Sequence, residues 1–339
     1  MKIYLTGYAS GLACGVSDYT MALAKSLRLN SSDVDVEVMD GLDFRNISSL
    51  LQAKNTILHI QYPAAVYRLS LTPQLLAWLY RHKTVITIHE YTQAHWSRKV
   101  AMTAFARAAT LIFTSDFERN AYLAAFRRSS KTSVIPIGSN IPAGKVVNEV
   151  MTGCRKVLFF GLIRQNKGLE EFITLARLAR GAGSGQKFIV VGCIPAGFEK
   201  FYQQMFELAA SCGDSINWHL NLPDEQVAQL IAECSCAYLH YPDGATARRG
   251  SLMAALANGV PVITSRGAAT PPDWADCVSF AGSPAEAMVC LDRLDNDPIL
   301  RRKQISAGFK LMEKHSWDQI ASEHIQLYRG IVAMKGGVK

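Results

Sequence analysis

Apolar positions along this chain fall into two alternating rhythms. Short runs rich in β-branched residues occupy positions 2–6, 34–39, 56–61, 84–88 and 110–114 and read as strands. Between them, apolar residues recur at helical spacing over 17–27, 73–81, 98–109 and 120–126. The rhythm lapses across 142–154, where glycine, asparagine and lysine gather, and this stretch reads as a linker. It then restarts, with strands predicted at 156–160, 187–191, 215–220, 236–240 and 260–264 and helices from Leu169 and over 252–257. Strand and helix in strict alternation predict parallel sheets joined by right-handed crossovers, an α/β architecture. The lapse divides it into two doubly wound, Rossmann-like domains at 1–145 and 150–317. No internal repeat or low-complexity segment interrupts the alternation.

The segment 236–265, CAYLHYPDGATARRGSLMAALANGVPVITS, carries a strand, a loop, a helix and a second strand in thirty residues. Ser251 is placed to cap the helix and Gly259 to end it. The loop 241–250 lies at the carboxyl end of a strand and the positive end of a helix, where open α/β sheets bind ligands and backbone amides favour phosphate. Thr246, Arg248, Arg249, Gly250 and Ser251 are the candidates there. The two arginines read either as solvated charges or as fixed cations for an anionic ligand. A second site of this kind is GLIRQNKG at 161–168: Gly161, then Arg164 and Lys167 just before a helix. Arginine can grip two phosphate oxygens while lysine supplies a point charge. A third is the small-residue loop 7–15 after the first strand. Its glycines, Gly15 among them, serve either a tight strand-to-helix turn or a close phosphate approach. His89 ends the strand at 84–88, with Glu90 beside it as the weaker candidate.

Composition narrows the choice of function. At 339 residues, 49% hydrophobic and 19% charged, the chain suits two packed domains, not a disordered protein. No apolar run approaches the roughly 20 residues of a membrane helix, and MKIYLTGYASG reads as a first strand and loop, so a cytoplasmic location is expected. Eight cysteines without CxxC pairing read as reduced core thiols, and no metal is expected. The net charge of +8 suits nucleotide phosphates or anionic lipid. No recognition motif accompanies it for nucleic acid. Arg127, Arg128 and Lys131, with Tyr122 and Phe126 as exposed aromatics, suggest a basic edge for peripheral contact with the inner face of a membrane. The bland reading of these cations is helix-end complementation. The Ser115–Glu118 spacing is a capping box without chemistry.

Several blocks, in order, resemble glycosyltransferase family 4. They are GVSDYTMALA at 15–24, TIHE at 87–90, VIPIGSNI at 134–141, GLIRQNKG at 161–168, IVVGC at 189–193, ALANGVPV at 255–262 and SWDQIASEHIQLY at 316–328. The resemblance implies the GT-B fold, with two Rossmann-like domains facing across a cleft and a C-terminal helix, 318–335, crossing back to the first. It also implies a retaining transfer (hexosyltransferase-type, EC 2.4) from a nucleotide diphosphate sugar (NDP-sugar) to a carbohydrate or lipid-linked acceptor, in surface polysaccharide or glycolipid synthesis. By that resemblance Lys167 and Arg164 bind the donor diphosphate, although Arg164 lies two positions beyond the family's arginine, where Leu162 stands. Gly15 faces the diphosphate and His89 touches the donor sugar. No cofactor is implied. The family's paired glutamates fall at Thr246 and Ala254, so neither carboxylate is present. This departure favours an alternative, a non-catalytic subunit that binds a nucleotide sugar. A GT-B epimerase is a third reading, for which acid–base carboxylates are not apparent in the loops.

Overall fold

The structure is a computed structural model in which residues 1–10, 14–41, 43–68, 70–108, 110–126, 131–144 and 155–336 are described. Two compact units emerge, Met1–Gly138 with Lys314–Lys339, and Ser139–Glu313. The first holds β1 (Lys2–Tyr8), β2 (Asp35–Asp40), β3 (Thr56–Tyr62), β4 (Thr84–Ile88), β5 (Thr110–Phe113) and β6 (Lys131–Val134). They form one parallel sheet in the order β2-β1-β3-β4-β5-β6. The second holds β7 (Lys156–Leu162), β8 (Lys187–Cys193), β9 (Ile216–Leu220), β10 (Cys236–Leu239), β11 (Val262–Thr264) and β12 (Val278–Phe280). This sheet is also parallel, in the order β12-β11-β10-β7-β8-β9.

Both sheets are covered on both faces, which is why the strands read as continuous apolar runs without alternation. Every residue of β3 and β4 is buried. In the first unit one apolar cluster gathers Leu58, Ile86, Phe105 and Tyr122 on one side of the sheet, and another gathers Leu5, Val85, Ile320 and Tyr328 on the other. In the second unit the two clusters are built around Phe159, Phe172 and Phe188, and around Leu239, Leu252 and Trp274. The C-terminal helix Trp317–Gly336 belongs to the first unit, where Ser26 donates to the carbonyl of Trp317 at 2.9 Å. Residues 139–144 lie in the second unit, where the Gly144 amide donates to Asn258 Oδ1 at 2.6 Å.

Order and chain sequence together locate each sheet's switch point, the place where successive connections turn in opposite directions and ligands bind outside the carboxyl ends. In the second unit the strands run 3-2-1-4-5-6 by sequence, so this point lies between β7 and β10. In the first it lies between β1 and β3.

Three expectations need correction. Gly161 lies inside β7, not in the turn after it, because the strand continues to Leu162. The predicted helix over 98–109 is an α-helix only over Trp96–Ala101 and then tightens into a 3-10 segment, Met102–Arg107. Tyr122 is not on a surface edge: it is 0% exposed, meets Tyr91 edge-on and Phe113 and Phe126 at a tilt, and donates to the carbonyl of Met102. Arg127 and Arg128 lie outside the described residues. Among the described residues seven cysteines are free thiols, and no His/Cys/Asp/Glu group suited to a metal occurs there. None of the described helices is long and apolar enough to cross a membrane.

Candidate functional site

The loop after β10 is held from several sides. The amide of Tyr241 donates to Ser265 Oγ at 2.9 Å, and that hydroxyl donates back to the Tyr241 carbonyl at 2.5 Å. The Ala245 amide reaches the Ser265 carbonyl at 2.8 Å, and Thr270 Oγ1 donates to the Ala245 carbonyl at 2.7 Å. Gly244, at φ +86°, and Gly267 pass so closely that a Cβ on Gly267 would lie 2.0 Å from the Asp243 carbonyl. Thr246 is buried, and its hydroxyl accepts from the Arg248 amide at 3.4 Å. A loop fixed in this way presents its cations with little freedom left to lose on binding.

Arg248 and Arg249 are both half-buried at the mouth of helix Gly250–Ala257. Arg249 pairs with Asp243 and lies over the Tyr241 ring, 4.4 Å from its centroid. Its charge is thus partly answered within the loop. Ser251 does not cap the helix as its position suggested: the N-cap residue is Arg249, without a side-chain bond. The Ser251 hydroxyl instead meets Tyr241 Oη at 2.8 Å. Burial pushes the Tyr241 phenol up to about 12, against the Ser251 hydrogen bond and the Arg249 charge. The phenol therefore stays protonated at neutral pH. Without a capping side chain, the first-turn amides at Gly250 and Ser251 have no intrahelical acceptor and remain suited to an anion.

The loop after β7 is shaped by two left-handed residues, Asn166 at φ +61° and Gly168 at φ +83°, on either side of Lys167. Helix Leu169–Gly181 starts where the sequence placed it. Gly168 abuts β10's loop: a Cβ there would lie 2.2 Å from the His240 carbonyl. The loop that carries Lys167 thereby meets, at Gly168, the start of the loop that carries Arg248 and Arg249, beside the switch point. Lys167 and Arg164 are both half-buried. Gly161 has open room, its nearest neighbour Phe159 Cζ being 3.8 Å from a built Cβ. The close approach falls on its β8 partner Gly192, whose Cβ would meet the Gly161 carbonyl at 2.0 Å.

Sequence reasoning missed His240. It follows β10 directly, and its Nδ1 is buried with no hydrogen-bond partner among the described residues. A buried ring nitrogen without a partner, beside a cationic loop, is an unmet polar group that calls for a reason. Its position at the strand's carboxyl end was the only signal. A cavity of about 240 Å³ lined by Arg180, Lys187, Cys212 and Asp214 lies at the start of β8, the opposite end of that strand from these loops.

In the first unit Gly15 opens helix Gly15–Asn30, and a Cβ there would meet nothing within 4 Å, so sterics alone do not demand glycine. Loop residues 11–13 lie outside the described set. One turn on, Tyr19 meets the His89 ring edge-on at 4.8 Å. His89 is 7% exposed and its Nε2 lies 2.9 Å from Gln61 Oε1. Gln61 continues to His59 Nε2 at 3.2 Å, and His59 Nδ1 to Tyr328 Oη at 2.6 Å. Thr87 Oγ1 also lies 2.8 Å from His59 Nε2; with Gln61 accepting from His89, its amide and the Thr87 hydroxyl both donate to that nitrogen, which puts the His59 proton on Nδ1 facing Tyr328. Glu118, predicted only as a capping residue, reaches across to the segment after His89. It accepts from the amides of Tyr91 and Thr92 at 2.7 and 2.9 Å and from the Thr92 hydroxyl at 2.7 Å. Glu90 is exposed.

This histidine cluster is expected to make the first unit acid-sensitive. Burial holds His324 down to about 4, and burial with the nearby His324 and His89 rings holds His59 well below its usual value. Unfolded, both rings take up protons near pH 6.5. The unfolded chain therefore binds more protons below that value, and stability present above pH 6.5 is lost as pH falls through 4. His324 alone accounts for a loss of about 3 kcal/mol. Urea midpoints measured from pH 7 to pH 4 should show this fall, and His324→Phe should reduce it, leaving the part due to His59.

No protein-family model matches the sequence, nor does any curated protein. Solved structures do match. A glycosyltransferase from Rickettsia africae superposes with a TM-score of 0.75 at 14% identity, covering 98% of both chains. HepE of Anabaena, in complex with UDP, gives 0.76 at 14% identity over 97% of this chain and 100% of that one. A trehalose-phosphate synthase (UDP-forming) from Burkholderia xenovorans gives 0.70 at 12% identity over 97% and 99%. The fold is GT-B. Both six-stranded parallel sheets and their surrounding helices are accounted for by that fold, the C-terminal helix included.

Proposed function

We propose that this chain is a glycosyltransferase that takes an NDP-sugar, its diphosphate held at the switch point of the second unit. One observation supports the reading: the loops after β7 and β10 meet at Gly168 and His240, and these are the loops that carry Lys167, Arg164, Arg248 and the amides of Gly250 and Ser251. HepE, which shares the fold, is described with UDP and with UDP-glucose, and this supports a nucleotide sugar as donor.

The chemical difficulty is the departing diphosphate, on which negative charge builds. Cations and amide dipoles already fixed in a loop stabilise that charge without reorganising at the moment of reaction. Lys167 acts as a point charge and Arg164 or Arg248 as a two-oxygen grip, while Arg249, held by Asp243, shapes the loop. His240 Nδ1, buried and without a partner, takes a ligand hydrogen bond in this reading only once the loop shifts to expose it. We read the transfer as retaining, with the leaving phosphate assisting deprotonation of the acceptor and His89 contacting the sugar. No metal or cofactor enters this reading. A carbohydrate or lipid-linked acceptor, and a cytoplasmic role in polysaccharide or glycolipid synthesis, extend it.

A specific observation favours a second reading, a subunit that binds the nucleotide sugar without transferring it. Thr246 is 4% exposed and Ala254 is 0% exposed within an apolar cluster, so neither position offers a carboxylate to the donor. Incubation with a panel of UDP-, GDP- and ADP-sugars while following released nucleotide separates the two. Release dependent on one donor is the expected outcome. Binding without release would establish the second reading, and neither would remove both.

A further inference from the structure

The helix Thr72–Leu79 is apolar on both faces, with Leu76 and Ala77 buried in the core and a second apolar face turned outward. Its polar Gln74 points inward, 7% exposed, with Nε2 3.3 Å from Tyr62 Oη. Leu71, Leu75, Trp78 and Leu79 point outward, 66%, 46%, 52% and 46% exposed. These four positions fall within an arc of about 100° on a helix. Helix Trp96–Ala101 adds Trp96 and Val100, 70% and 60% exposed. It runs directly into the 3-10 segment Met102–Arg107, which packs against Thr72–Leu79. Six large apolar side chains on two linked short helices exceed the scattered exposure normal for a soluble surface.

The charge around them selects the occupant. Residues 68–101 carry Arg68, Arg81, Lys83, Arg98 and Lys99 against one acidic residue, Glu90. Lys83 is engaged by the carbonyls of Leu51 and Ala53, and Lys99 by that of Thr92. Arg68, Arg81 and Arg98 remain exposed at the margins. Two-fold pairing of this face with a second copy would set like charges against one another in a chain of net charge +8. A bilayer carrying anionic headgroups answers both features: tryptophan and leucine enter the interface while arginine meets the headgroups.

We propose that the outward face of Thr72–Leu79, with Trp96 and Val100, docks the first unit on an anionic lipid surface. It replaces the edge suggested by the sequence around Tyr122, whose ring is in the core. The role does not depend on the donor site and is read without any sugar nucleotide, so its failure leaves the reading of the second unit untouched.

The test is co-sedimentation of the full chain with vesicles of phosphatidylcholine alone and of phosphatidylcholine with phosphatidylglycerol. Wild type should pellet with the anionic vesicles and be released by salt. Leu75→Glu with Trp78→Glu should lower partition by about tenfold or more. Arg81→Glu with Arg98→Glu should remove the preference for anionic lipid. All four side chains are exposed, and circular dichroism melting at the wild-type midpoint confirms that the variants are folded. Equal partition to neutral and anionic vesicles, or unchanged partition of the leucine–tryptophan variant, overturns the proposal. So does a wild-type dimer in sedimentation velocity that this variant converts to monomer without any lipid dependence.

Discussion

Gly168→Ala is expected to destabilise the second unit by about 3–5 kcal/mol. Part of the effect is the left-handed backbone at φ +83°, which costs an L-residue about 1–2 kcal/mol. The rest is collision, since the new Cβ would sit 2.2 Å from the His240 carbonyl, and backbone cannot rotate away as a side chain can. Gly183→Ala isolates the first part, because Gly183 has φ +72° and nothing within 4 Å of a built Cβ. Urea unfolding should therefore separate the two variants by about 2 kcal/mol or more. Equal losses would mean that the β7 and β10 loops are not held in contact, and the convergence of Lys167 with Arg248 would go with it.

Lys167→Ala should lower donor turnover by a factor of ten or more, while the melting temperature stays close to that of wild type. A fixed cation lost from a developing phosphate charge has this consequence, and the loss belongs in kcat as well as in KM because the charge grows along the reaction. Lys167→Arg keeps the charge and should recover part of the rate. Unchanged turnover in Lys167→Ala would take this side chain out of the site.

Much of the fold was legible because a sheet covered on both faces turns its strands into unbroken apolar runs, as at β3 and β4, and because helix starts carry local signals. Leu169 is placed as a helix start after the loop that ends in Gly168, and the structure holds that glycine left-handed at the helix mouth. Ser115 was found as a cap, and its hydroxyl does accept from the Glu118 amide at 3.3 Å. What stayed hidden depends on tertiary partners. Nothing within the Ser115–Glu118 spacing says that the Glu118 carboxylate leaves its own helix for Tyr91 and Thr92. Ser251 had the right spacing to cap, yet Tyr241 captured its hydroxyl. At Gly161 and Gly192 the local sequence shows two glycines in two strands, and only their register reveals which one cannot bear a side chain. Tyr122 sits on a helix that is apolar on one side, and the face it shows could not be assigned before the ring's partners were known.

The site was legible as a set of loops but not as a constellation. The sequence places cations after two strands that are separated by more than seventy residues, and the strand order brings those strands side by side. His240 lacked any motif and becomes visible only through its unsatisfied ring nitrogen.

The central claim is that the second unit's switch point holds a nucleoside diphosphate by its cations. Calorimetric titration of UDP, GDP and ADP into the full chain, and into Lys167→Ala and Arg248→Ala, tests it most directly. At least one nucleotide should bind wild type saturably, more weakly as salt rises, and about tenfold or more weakly to each variant. A wild-type chain that binds none of the three, or variants that bind as tightly as wild type, would contradict it.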